Sequence, residues 1–155
     1  MKKWLLYALT LAAIPVLSFG GFGGRDVGKL RPVQLVMVRQ EGNTVRLLTD
    51  TGDTGKGPDI QRAIKDMNGS ADADIFLNTA DYLLLGEGAE EYIPQLQQYL
   101  RPSCALCRVT GEPDPEEAVK FLQQHPPKLT LTQYEAQRAE LPELVAAERR
   151  YKLVH

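Results

Sequence analysis

The sequence predicts an α/β (α+β) domain: a single mixed β-sheet with packed helices, in the order ββαβαβα, plus a C-terminal helical tail. Three observations lead there. Short apolar runs such as Val33–Val38 and Tyr82–Leu85 alternate with segments of helical period, a pattern that sets helices against a mixed sheet. The 155 residues leave room for one domain with appendages. With 43% hydrophobic and 25% charged residues, the chain has the composition of a globular protein.

Charge excludes one class of partner. The 18 Lys and Arg against 20 Asp and Glu give a net charge of -2, with no basic excess to neutralise phosphates, so no nucleic acid is expected as a partner. Two cysteines cannot build a disulfide-rich scaffold. The two histidines, His125 and His155, lie too far apart in sequence to suggest a histidine metal centre.

Met1-Lys2-Lys3 is a short basic start. An apolar run from Trp4 to Leu17 follows, broken only by Thr10 and Pro15, and then the small residues around Gly20. Residues 1–20 therefore read as a signal peptide or N-terminal membrane anchor. The run is shorter than the roughly 20 residues of a comfortable membrane span. The expected location is exported, at the outer face of a bacterial membrane or secreted. No cysteine precedes Cys104, so a lipoprotein anchor has no attachment site. Residues 21–31, with Gly21, Gly23 and Gly24, read as a Gly-rich linker. The domain is expected over 32–128 and a helical tail over 129–155.

Within the domain, Val33 to Arg39 is apolar on both faces, as in a central strand. Glu41-Gly42-Asn43 is turn chemistry, and Thr44–Thr49 alternates, so the two runs form a hairpin. Asp50–Gly57 reads as a polar loop. Pro58 can open a helix in which Ile60, Ala63, Ile64 and Met67 share one face, with Gly69 closing it. Ile75-Phe76-Leu77 and Tyr82–Leu85 make one interrupted strand or two. Ala89, Ile93, Leu96 and Leu100 mark the next helix, with Pro94 restricting its start. Cys104–Val109 is a strand. Asp114-Pro115-Glu116-Glu117 combines an N-cap, a proline at the first helical position and an acidic first turn. Thr132-Gln133-Tyr134-Glu135 reads as a capping box that opens a charged tail helix, kinked at Pro142.

Cys104-Ala105-Leu106-Cys107 is the motif with the most chemical potential, a possible thiol pair. In extended chain these two Cα atoms lie roughly 10 Å apart, whereas a disulfide tolerates about 7 Å. A strand keeps them as buried thiols; a turn at Ala105-Leu106 would permit a disulfide, a redox centre or a metal ligand pair. Zinc would need a second Cys/His pair. Thr51–Gly57 fails as a phosphate loop twice: Asp50 stands at the first glycine position and Gly57 follows Lys56. Asp72, Asp74 and Asp81 lack calcium-loop spacing. His125 has no nearby nucleophile. No catalytic, cofactor-binding or metal-ligating residue is assigned, and no cofactor is implied.

From Asp26 to about Leu122 the chain resembles the N-terminal domain of the Ger(x)C family, the C subunits of spore germinant receptors. The resemblance lies in an ordered set. Arg25-Asp26-Val27-Gly28-Lys29-Leu30 runs into the strand Val33–Val38. A Thr/Gly loop leads to Asp59-Ile60-Gln61-Arg62-Ala63-Ile64. Ile75-Phe76 precedes a strand ending Leu83-Leu84-Leu85-Gly86-Glu87. Gln95 to Pro102 forms a helix, then come a strand and the helix Glu116 to Leu122. Asn78-Thr79 stand where family members tend to carry Gly-His. The resemblance implies a non-enzymatic protein of spore germination, working through contacts with integral membrane receptor subunits at the spore inner membrane. The residues alone leave two other readings open: an extracytoplasmic small-ligand or peptide-binding domain using the Asp50–Gly57 loop, and a thiol or metal protein using Cys104 and Cys107.

Overall fold

The computed structural model describes residues 29–154 apart from 138 and 148–149; the signal or anchor expected over residues 1–20 lies outside them. Nine strands are described: β1 (Leu30–Pro32), β2 (Leu35–Glu41), β3 (Thr44–Thr49), β4 (Thr54–Gly57), β5 (Asp74–Phe76), β6 (Tyr82–Leu85), β7 (Ala105–Thr110), β8 (Glu143–Ala147) and β9 (Arg150–Val154). The helices are α1 (Ile60–Ser70), α2 (Ile93–Leu96), which continues a 3-10 turn over Ala89–Tyr92, α3 (Pro115–Gln124) and α4 (Leu131–Gln137). The fold is mixed α/β, as the alternating pattern predicts.

Seven strands form one mixed sheet in the order β4-β3-β2-β6-β7-β8-β9. β2, β6, β7 and β8 run parallel; β3 and β4 on one side and β9 on the other run antiparallel to their neighbours. The apolar run at Leu35–Val38 is buried on both faces because β2 lies inside the sheet. Its hairpin to β3 turns at Gly42-Asn43, with Glu41 opposite Thr44 and Gly42 at φ 62°.

Each face carries its own core. On the first, Val36, Val38, Leu47, Leu83, Leu85 and Leu106 pack against Ile60, Ala63 and Met67 of α1 and Ile93 and Leu96 of α2. On the second, Leu35, Met37, Leu84, Cys107 and Val109 pack against Ala118, Val119 and Leu122 of α3. Each fully buried leucine contributes about 1.5–3 kcal/mol by leaving water. At Gly55 a Cβ would stand 2.1 Å from the Ala63 carbonyl oxygen, so glycine there lets α1 lie directly on β4.

Several expectations are corrected. Asp50–Gly57 is not all loop: Thr54–Gly57 is the edge strand β4, extended because it continues the antiparallel ladder from β3. The sheet is not single, since β1 and β5 pair in parallel as a separate two-stranded sheet, which also puts Leu30 and Arg31 of the expected linker into regular structure. α1 is capped by Asp59, whose carboxylate accepts from the Arg62 amide at 2.7 Å, and it runs through Gly69 to Ser70. The largest correction is the tail. Glu143–Ala147 and Arg150–Val154 are not helical; they pair antiparallel as β8 and β9, which extend the sheet beyond β7. Tertiary pairing overrides the helix propensity of its alanines and glutamates, and Leu144 enters the second core. The capping pair also moves: α4 begins at Leu131, with the Thr130 amide donating to the Gln133 side chain at 3.0 Å.

Candidate functional site

The parallel strands give the sheet two unlike ends. At their amino ends, the loop proposed above as a ligand site is closed upon itself. Asp50 Oδ1 accepts from the amides of Gln34 and Leu35 at 3.0 and 3.1 Å. The Asp53 carboxylate takes Arg31 Nη1 at 3.0 Å and the Thr51 hydroxyl at 2.7 Å. Thr49 is fully buried, and its hydroxyl meets that of Thr51 at 2.8 Å. These carboxylates hold backbone and arginine, which leaves them little for a ligand. Loop 50–53 joins β3 to β4 and closes off the start of β2.

At the carboxyl ends the connections diverge. The chain leaving β6 crosses the first face through α2, while the chain leaving β7 turns to the second face through α3. In open α/β sheets, such a divergence leaves a crevice between the two strand ends. Here it measures about 250 Å³ and is lined by Arg39, Gln40, Gly86, Glu87, Thr110 and Gly111. Gly111 has φ 92°, and a Cβ on it would meet the Ala146 carbonyl oxygen at 2.3 Å, so β8 forms a wall of this end. Arg39 Nη2 donates to the Gly111 carbonyl at 2.6 Å and Nη1 pairs with Glu112 at 3.5 Å. Arg108 pairs with Glu90, whose carboxylate raises the guanidinium pKa by hydrogen bonding and charge.

A second hollow of about 180 Å³ opens beside Arg39 on the α3 side, lined by Met37, Arg39, Arg46, Leu48, Glu112 and Pro113. The register of β2 and β3 sets Arg39 directly opposite Arg46, and Met37 opposite Leu48. Sequence reasoning missed this pair. The signal was present: Arg39 and Arg46 lie symmetrically about Gly42-Asn43, and a two-residue turn brings them face to face.

The cysteines are placed apart. Cys104 is buried in the first core and Cys107 in the second, so their side chains leave the sheet on opposite faces. Both are free thiols. Burial pushes each thiol pKa up to about 12, which leaves no thiolate for redox or metal chemistry near neutrality. Asp81 pairs with Arg101, and Asp72 and Asp74 are not brought together with it in any metal-ligating group among the described residues. The His125 ring stacks on Phe121 at 4.7 Å, a packing role at the end of α3. Among the described residues no helix is long and apolar enough to cross a membrane. Comparison with protein-family models, with curated proteins and with solved structures gives no match.

Proposed function

We propose that this is a non-enzymatic, exported or membrane-anchored protein of spore germination, similar to the N-terminal domain of the germinant receptor C subunits. On this reading it acts through contacts with integral membrane receptor subunits. The observation that carries it is the ordered set of segments from Asp26 to Leu122 that resembles the Ger(x)C family. Their continuity in space supports it. Val33–Val38, Asp59–Ile64, Leu83–Glu87, Gln95–Pro102 and Glu116–Leu122 fall in successive parts of one folded unit, from β2 to α3. The basic start and apolar run before Leu17 supply the route out of the cytoplasm. The burial of Cys104 and Cys107 argues against the thiol or metal alternative.

The test is deletion of the gene in the source organism, with germination of the resulting spores measured against a panel of nutrients. Loss of response to one nutrient class at normal spore yield is the expected result. Normal germination with every nutrient, or a source that forms no spores, would overturn the reading. The small-ligand alternative gains one specific observation, the pair of hollows at the carboxyl end of the sheet.

A further inference from the structure

We infer that the hollow between Arg39 and Arg46 binds a small organic carboxylate with a short apolar chain, its carboxyl group held by the two guanidiniums. This does not depend on the germination reading. Like charges directly opposite one another on neighbouring strands destabilise a sheet unless something offsets them. Arg39 and Arg46 are such a pair. Arg46 Nη1 meets Glu41 at 3.1 Å, but Glu41 also takes Lys56 Nζ at 3.0 Å. Both cations hold the Glu41 carboxyl pKa below its usual range, Lys56 first and Arg46 second. Arg39 Nη2 is held by the Gly111 carbonyl at 2.6 Å, and among the described residues its carboxylate partner is Glu112, at 3.5 Å, on a side chain that is 92% exposed. Three cations thus share two carboxylates in these contacts, and the weaker of the two sits loosely. The Arg46 Nε is shielded from solvent and has no hydrogen-bond partner. A buried N–H left unmade is costly, and a shift of the guanidinium toward a bound carboxylate would let it be met.

The walls define the rest of the ligand. Met37, Leu48 and Pro113 give the same hollow an apolar patch beside its charged side chains. Its 180 Å³ amounts to roughly six water volumes, room for a carboxyl group and a few methylenes. A guanidinium presents paired N–H donors that match a carboxylate in plane, so carboxylate suits the site better than a spherical anion. Glu112 occupies the Arg39 position now, and the ligand's carboxyl group would displace it.

The probe is sodium valerate, titrated into the full chain and followed by NMR on the Arg39 and Arg46 side chains and the Met37 methyl. Saturable shifts at these groups are expected, with acetate at least threefold weaker because it lacks the chain, and pentylammonium silent because its charge is reversed. Arg46→Gln should weaken valerate at least tenfold. Glu112→Ala should tighten it two- to fivefold, since the competing carboxylate is gone, and this exposed substitution leaves the fold intact. Absence of saturable shifts with valerate would overturn the inference. So would an equal response to pentylammonium, or weaker binding by Glu112→Ala. Decanoate binding tenfold tighter than valerate would overturn the small-molecule source in favour of a lipid chain.

Discussion

The two ends of the sheet use their charged side chains differently. At the amino ends of the parallel strands, several polar side chains hold backbone groups, alongside the ion pairs Arg31–Asp53 and Arg101–Asp81. Asp50 accepts from two amides, Thr79 accepts from the Val33 amide at 2.9 Å, and Asn68 accepts from the Ile75 amide at 2.9 Å. At the carboxyl ends, charged side chains mostly meet other exposed side chains: Arg39 with Glu112, Arg46 with Glu41, Arg108 with Glu90. A group that satisfies a backbone amide is fixed by the fold. A group paired with an exposed, rotamer-rich partner can exchange that partner for a ligand at little cost. The first end is built for closure and the second for exchange.

The largest effect should come from breaking the closed end. Asp50→Ala removes the acceptor of two amides at the start of β2 and should lower stability by about 2–3 kcal/mol. The check is the urea midpoint at unchanged slope; a loss under 0.5 kcal/mol would erase the distinction between the ends. A smaller effect concerns the interior they share. The folded thiol pKa values of Cys104 and Cys107 are raised to about 12. The unfolded chain therefore releases these protons first, binds fewer of them above pH 9, and is favoured as pH rises. Stability is fully present below that pH and should fall by about 2 kcal/mol over the first unit above it, about 1 kcal/mol from each thiol. Alkaline denaturation should flatten in the double variant Cys104→Ala, Cys107→Ala. In the native protein at neutral pH both thiols should stay unreactive to a thiol reagent. The smallest effect belongs to the open end. Arg108→Ala breaks an exposed pair with Glu90 and should change stability by less than about 0.5 kcal/mol, read from the same urea curves.

The difference between the ends also explains what the sequence discloses. Local signals carry the centre: the doubly apolar Leu35–Val38, the Asp114-Pro115 helix start and the Ile60–Met67 face each state their environment through spacing alone. β4 escapes because Thr54-Gly55-Lys56-Gly57 has the composition of a loop; it is extended only because β3 lies beside it, and its glycines serve a helix that arrives later in the chain. The β8–β9 pair escapes because Ala146 and Ala147 favour helix locally, while pairing with β7 decides otherwise. The arginine pair needs one more step than periodicity, the register across a turn. Asp50–Asp53 misleads for a related reason: its polarity looks available until the amides of Gln34 and Leu35 are found on it.

The glycine contact between β4 and α1 has a consequence for symmetry. α1 lies on the face of β4, and its Asp66 accepts from the Lys56 amide at 2.9 Å, so this short edge strand already has an outward donor taken. β9 is the other edge, carrying Arg150 and Lys152, charges of the kind that discourage strand addition. A sheet with two open edges can propagate without limit. A sheet with one can pair only with a second copy of the same edge, about a two-fold axis, and the assembly then closes. Strand addition to the described seven-stranded sheet is therefore directed to its β9 edge, where pairing of two copies would close on itself.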